Sequence, residues 1–306
     1  MRKINLGNSG LPVPTIAVGC MRINTIEKKE AEGFVKTALD LGANFFDHAD
    51  IYGDGACESI FADVIGMNSA LREKIFLQTK CGIVRGKMFD FSRKHILESV
   101  EGSLKRLKTE YIDVLLLHRP DGLVEPEEVA DALGTLHAGG KVRHFGVSNQ
   151  NPLQIQLLRK FVKQPIVANQ LQLSITNASM IAAGFHVNMR DDTAVGRDGS
   201  ILDFCRLEDI TIQPWSPFQY GFFEGVFLGS PQFPELNKKI DEIAENHSVS
   251  PTTIALAWLL RHPARFQPVT GTMKAERLRE CVKAAEVTLS REEWYEIFLA
   301  AGYVLP

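Results

Sequence analysis

Residues 112–148 open with Ile112-Asp113-Val114-Leu115-Leu116-Leu117, pass through a helical pattern over about 125–138, and end on His144-Phe145-Gly146-Val147-Ser148. Both short segments are near-continuous apolar runs, the pattern of strands covered on both faces. Strand, helix and strand in that order make a parallel crossover unit, because parallel neighbours cannot be joined by a tight turn.

The same rhythm extends outward in both directions. Before this unit stand Thr15-Ile16-Ala17-Val18-Gly19, Asn44-Phe45-Phe46-Asp47 and Ile75-Phe76-Leu77-Gln78-Thr79. After it come Ile166-Val167-Ala168-Asn169-Gln170, Ile210-Thr211-Ile212-Gln213-Pro214 and Phe266-Gln267-Pro268-Val269. Further helical patterns lie near 26–41, 56–66, 92–107, 152–162, 200–207, 234–247 and 251–262. In the first, Ala31, Phe34, Val35, Ala38 and Leu41 share one helical face, with Thr25 as N-cap. Ser92 caps another, and Ser250-Pro251 opens a third with proline at the first helical position.

Eight strands, nearly all followed by helices, predict an α/β fold, a closed (β/α)8 TIM barrel in preference to an open doubly wound sheet. An N-terminal β-hairpin turning at Asn8-Ser9-Gly10 precedes it, and long loops follow strands 6 and 7, at about 172–200 and 215–233. The Gly-x-Gly-x-x-Gly fingerprint of a Rossmann fold is absent. No repeat or linker interrupts the chain, so one domain over 1–306 is predicted.

Composition narrows the function classes. With 45% hydrophobic and 23% charged residues and a formal charge of −3, the chain has no electrostatic footprint for nucleic acid or an anionic membrane. It has no apolar run long enough to span a bilayer and no secretory pattern at Met1-Arg2-Lys3-Ile4-Asn5-Leu6-Gly7, so a cytoplasmic protein is expected. Cys20, Cys57, Cys81, Cys205 and Cys281 are odd in number and scattered, which reads as reduced thiols and no metal site. Cys81, beside Lys80, is read as inert.

Barrel enzymes carry their chemistry at the C-terminal ends of the strands. Here those ends are Asp47 with the loop His48-Ala49-Asp50-Ile51-Tyr52-Gly53, Thr79-Lys80, Leu117-His118, Ser148-Asn149, Asn169-Gln170 and Gln213-Pro214-Trp215-Ser216. Tyrosine, lysine, aspartate and histidine thus meet at one mouth. A phenol of pKa about 10 is a weak acid at neutral pH, and a nearby ammonium is expected to lower that value. A carboxylate holds the lysine, and a neutral histidine can polarise a carbonyl. His48 and Asp50 are read as further mouth residues, and Phe218, Phe222, Phe223 and Phe227 as apolar pocket walls.

Phe46-Asp47-His48-Ala49-Asp50-Ile51-Tyr52-Gly53, Gln78-Thr79-Lys80 and Leu115-Leu116-Leu117-His118 resemble the signature segments of the aldo-keto reductase family. Together with His118-Arg119-Pro120-Asp121 and the long insert, they are similar to its bacterial YdhF-like oxidoreductase subgroup. The resemblance implies a carbonyl reductase in which Tyr52 is the general acid, Lys80 and Asp47 tune it, and His118 orients a small-molecule carbonyl substrate. It implies NADPH/NADP+ as cofactor. Ser148, Asn149 and Gln170 would hold the nicotinamide carboxamide and Trp215 would stack on the ring. Met21, Arg22, Ser216, Pro217 and Phe218 would follow the cofactor, with Gly271, Thr272, Lys274, Arg277 and Cys281 at its adenosine end. Gly271 replaces the lysine of many members, and Cys281 an asparagine.

Two other readings share the barrel. A metal-dependent hydrolase would use His48, Asp50 and His118 as ligands, but the first strand ends Gly19-Cys20-Met21-Arg22 without a His-x-His pair. A cofactor-sensing partner subunit would keep the fold with little turnover. No partner protein is implied beyond a monomer or weak homo-oligomer. The segment at about 172–200, with Gly184, Gly196 and Gly199, is expected to be a mobile flap over the mouth.

Overall fold

The computed structural model describes residues 1–186 and 200–303. Eight parallel strands close into a barrel, each hydrogen-bonded to its neighbours in chain order. They are β1 (Ala17–Gly19), β2 (Phe45–Asp47), β3 (Phe76–Cys81), β4 (Ile112–Leu117), β5 (Val142–Ser148), β6 (Ile166–Gln172), β7 (Thr211–Trp215) and β8 (Val269–Thr270). Closure is made by β8 on β1, with Val269 opposite Ala17 and Thr270 opposite Val18. All eight strands are those read from the sequence.

The outer layer comprises α1 (Lys28–Asp40), α2 (Ala56–Ile65), α3 (Arg93–Leu107), α4 (Pro126–Ala138), α5 (Pro152–Arg159), α6 (Ile201–Leu207), α7 (Pro234–Asn246), α8 (Pro251–Arg261), α9 (Ala275–Lys283) and α10 (Arg291–Ala300). Ser92 caps α3 through the His95 amide, and Ser250 caps α8 through the Thr253 amide with Pro251 following. The expected cap of α1 is displaced: the N-cap is Glu27, and Thr25 spends its hydroxyl on the Arg22 carbonyl at 2.7 Å. The final helix α10 escaped the sequence reading. It is secured by a capping box between Ser290 and Glu293 and by Trp294, stacked on Trp258 of α8 at 4.8 Å.

An antiparallel hairpin, Lys3–Asn5 with Pro12–Pro14, seals the bottom of the barrel. Its Leu6 and Val13 are fully buried against Phe45, Val114, Leu116 and Val167. Gly7 has φ +53, and a Cβ there would meet the Val167 carbonyl oxygen at 2.5 Å, so only glycine lets the turn lie this close. Above this apolar plug the interior becomes polar. Two smaller hairpins, Ile83–Val84 with Met88–Phe89 and Gln219–Tyr220 with Gly225–Val226, follow β3 and β7. Among the described residues no helix is long and apolar enough to cross a membrane.

Residues 172–186 are packed down. Leu173, Ile175, Ala178, Ile181 and Ala182 are buried, and Phe185 lies edge-on to Phe298 of α10 at 5.5 Å. Ser174 donates to the Gln219 carbonyl at 2.8 Å, tying this segment to the loop after β7. The remainder of the expected flap, with Gly196 and Gly199, lies outside the described residues.

Candidate active site

The position of Tyr52 follows from how β2 ends. Beyond Asp47 the chain stays bonded to β3, with the His48 amide on the Gln78 carbonyl at 2.8 Å and the Asp50 amide on the Lys80 carbonyl at 3.0 Å. A tight turn over Tyr52–Gly55 then reverses it. Gly53, Asp54 and Gly55 all have left-handed backbone, at φ 58, 54 and 91. A Cβ on Gly55 would also stand 2.9 Å from the Arg106 side chain. Glycine at 53 and 55 lets the chain reverse directly after Tyr52.

Lys80, fully buried on β3, meets the phenol there. Its Nζ donates to Asp47 Oδ2 at 2.8 Å, to the His48 carbonyl at 2.6 Å and to Tyr52 Oη at 3.1 Å. All three ammonium protons are therefore used. Burial alone would depress the Lys80 pKa, but the Asp47 carboxylate and Tyr52 outweigh it and hold the value above the ordinary one. Because the ammonium donates to the phenol oxygen, the Tyr52 O–H is free to point into the cleft.

The phenol itself departs from expectation. Burial raises its pKa above 10; Lys80 opposes this without reversing it, and Asp47 adds to the rise. Tyr52 thus keeps its proton at neutral pH, with the Lys80 ammonium beside its oxygen. His118, at the end of β4, faces Tyr52 edge-on with ring centroids 5.9 Å apart. Burial, then the Lys80 and Arg119 charges, push its pKa well below the usual value, so the imidazole is neutral. A neutral imidazole and a protonated phenol converging on one point can polarise a carbonyl and protonate its oxygen.

This point is one end of a long cleft of about 810 Å³. Asp47, Tyr52, His118, Ser148, Asn149, Gln170 and Trp215 line this end. Ser216, Pro217, Phe218, Gly271, Thr272, Lys274 and Arg277 continue the wall with Met21 and Arg22, and Arg22 donates to the Gly271 carbonyl at 3.4 Å. Asn149, Ser216 and Phe223 hold left-handed backbone at φ 55, 52 and 61, and such strain in non-glycine residues gathers at functional sites. The volume and elongated course suit an extended dinucleotide, and the cations at the far end suit its phosphates.

Several residues are placed elsewhere than expected. Cys281 is fully buried, its thiol pushed up to about 12 by burial, and it presents no atom to the cleft. Phe227 is a core residue, and Phe222 is exposed beyond the wall. His48 and Asp50 point away from the mouth: His48 is buried edge-on against Phe61 of α2 at 4.6 Å. Asp50 lies among Glu58, Ser99 and Arg106. Cys81 is buried with its pKa raised well above normal by burial and by Asp50, consistent with an inert thiol. Among the described residues no three His, Cys, Asp or Glu side chains are grouped to hold a metal ion.

The sequence reading missed a ladder of buried amides beneath the site. Gln267 Nε2 donates to the Pro14 carbonyl at 2.8 Å, and Gln213 Nε2 donates to Gln267 Oε1 at 2.8 Å and Gln78 Oε1 at 3.0 Å. Gln78 Nε2 returns a bond to Gln213 Oε1 at 2.9 Å and reaches Asp47 Oδ1 at 2.6 Å, and Gln170 Nε2 adds a bond to Asp47 Oδ1 at 3.2 Å. The signal was available in strand alternation, since Gln78 stands two residues before Lys80 and shares its inward face.

Residues 15–298 match the profile of the Aldo/keto reductase family. Over its whole length the chain is 36% identical to all of the uncharacterized oxidoreductase YcsN of Bacillus subtilis. It is 33% identical to the 6-dehydroglucose reductase of Agrobacterium fabrum, with 98% of both chains covered, and 32% identical to the whole of oxidoreductase YdhF of Escherichia coli. The crystal structure of the thermostable aldo-keto reductase Tm1743 with the inhibitor epalrestat superposes with a TM-score of 0.79 at 27% identity, covering 98% of this chain and 100% of that one.

Proposed function

Since this chain belongs to the Aldo/keto reductase family, we propose that it reduces an aldehyde or ketone to the alcohol using NADPH, with Tyr52 as proton donor. The observation that carries this reading is the hydrogen-bonded series Asp47–Lys80–Tyr52 at a dinucleotide-sized cleft. A dihydronicotinamide held here would supply the hydride for the carbonyl carbon. His118 and Tyr52 hold the carbonyl oxygen, and Tyr52 gives it a proton while Lys80 supports the phenolate that remains. Ser148, Asn149 and Gln170 would hold the carboxamide and Trp215 would offer its ring face, its indole N–H fixed on Asn149 Oδ1 at 3.3 Å.

At the far end the 2′-phosphate needs cations. Gly271 supplies none, and Arg277, with its planar guanidinium, is the principal candidate, with Lys274 second. Thr272 Oγ1 accepts from the Lys274 amide at 3.2 Å, which shapes this turn. Cytoplasmic location fits the NADPH pool and the reduced thiols.

The test is aldehyde-dependent loss of NADPH absorbance with purified protein, together with titration of NADPH and NADH against tryptophan fluorescence. NADPH is expected to bind more tightly. Arg277→Ala should weaken NADPH binding roughly 10- to 150-fold, as loss of a charge-assisted contact does, and leave NADH nearly unchanged. Equal loss for both nucleotides would refute the assignment of Arg277 to the 2′-phosphate.

A further inference from the structure

Resting on the reductase reading, the cleft also indicates which carbonyl compounds it takes. Arg119 follows His118 at the end of β4 and lines the cleft beside Tyr52 and Trp215. Its guanidinium carbon is 5.7 Å from the Trp215 ring centroid, and the side chain is half-buried. Arg72 and Arg106, also withdrawn from water, are each paired, with Asp113 at 2.6 Å and Glu58 at 2.7 Å. Among the described residues no carboxylate pairs with Arg119. At this end of the cleft Asp47 is already engaged by Lys80 at 2.8 Å, which leaves Arg119 as the uncompensated charge. An unpaired cation partly removed from water is costly, and an arriving anion relieves that cost. The apolar Ile51, Trp215 and Phe223 line the same cleft, with Phe223 stacked on Trp215 at 5.8 Å.

We propose that Arg119 receives the anionic group of the substrate, and that this enzyme reduces oxo-acids: aldehydes or ketones with an apolar body and a carboxylate. Tyr52 and His118 hold the carbonyl oxygen while the planar fork of Arg119 holds the carboxylate, and two anchors set which carbon faces the hydride. The carbonyl gains a hydride at carbon and the Tyr52 proton at oxygen, NADPH becomes NADP+, and the carboxylate is unchanged.

The experiment compares 4-carboxybenzaldehyde with 4-carbamoylbenzaldehyde, nearly equal in shape and differing in charge. The wild-type protein should favour the acid in kcat/KM by about 10-fold or more, mostly through KM. Arg119→Gln should collapse the acid-over-amide ratio toward one, Arg119→Lys should restore part of it, and added salt should raise KM for the acid alone. Unchanged melting temperature and NADPH quenching of tryptophan fluorescence show that the variants are folded and bind cofactor. Equal use of acid and amide by the wild type overturns the inference, and so does a preference that survives Arg119→Gln. A wild type that reduces the amide and rejects the acid overturns only this inference; one that reduces neither overturns the reductase reading as well.

Discussion

The end of β2 presents ionisable side chains to two very different surroundings within four residues. Inward, both oxygens of Asp47 are satisfied, by Lys80, Gln78 and Gln170, and the cluster opens on the cleft. Outward, neither ring nitrogen of the buried His48 has a partner among the described residues, nor does Asp50 Oδ1. Burial, with Lys80 second, drives the His48 pKa down to about 3; burial, with Glu58 second, drives Asp50 up to about 6. Both outward groups are therefore pushed toward neutrality, whereas Lys80 on the inside is held charged. Perturbed titration alone does not separate the two faces; the satisfied hydrogen bonds around the retained Lys80 charge, open to a cleft, do.

The widest separation between the two faces is expected in turnover. Tyr52→Phe keeps the ring and removes the proton donor, so kcat should fall by about 10²–10⁴-fold while NADPH binding is largely kept. A variant retaining a tenth of wild-type kcat would place the donor elsewhere.

The inward network should next show itself in stability. Gln213→Leu leaves Gln78 Oε1 and Gln267 Oε1 without their donor inside the barrel, and a loss of about 1–3 kcal/mol in urea unfolding is expected. An unaltered midpoint would mean that the ladder does not support Asp47.

The outward face is expected to respond to pH. A folded-state pKa raised from 3.8 to about 6 means the folded Asp50 retains a proton that the unfolded chain releases. Its contribution to stability is accordingly full below about pH 4 and is lost as pH rises through 6. Asp50→Asn should leave stability unchanged near pH 4 and increase it above pH 6, by at most about 3 kcal/mol and nearer 1 with partial exposure. A gain that does not depend on pH would show that Asp50 is not the titrating group.

His48→Leu should have the smallest effect on catalysis. Removal of two unpartnered nitrogens from an apolar contact with Phe61 leaves kcat nearly as it was, and thermal unfolding should shift by less than about 1 kcal/mol. A collapse of kcat in this variant would bring the outward face into the chemistry and undo the comparison.

These two faces also separate what could be read from the chain from what could not. The eight strands were legible because a strand covered on both sides is a short apolar run, as in Ile112–Leu117, and needs only local pattern. Tyr52, Lys80, Asp47 and His118 were legible as a set because each stands at or just beyond a strand end, and a closed parallel barrel brings such ends together. His48 and Asp50 were misplaced by the same logic, since lying near a strand end does not say which way a side chain faces.

Amino-acid order alone determined the barrel, the caps at Ser92 and Ser250, and the residue types that meet at the mouth, because all of these depend on neighbours a few positions away. Tertiary structure decided the facing of side chains. Alternation along β2 sends Asp47 inward and His48 and Asp50 outward, and would send Tyr52 outward too. The turn from Ala49 to Tyr52, with Ile51 in helical backbone and the Tyr52 amide on the Ala49 carbonyl at 3.1 Å, breaks that alternation and brings the phenol to Lys80. Long-range packing likewise buried Cys281 and Phe227, joined Gln78 to Gln213 across 135 residues of chain, and left Arg119 without a carboxylate among the described residues. Such outcomes depend on where the barrel closes and on which distant atoms fill the space beside each side chain, and no local pattern carries that information.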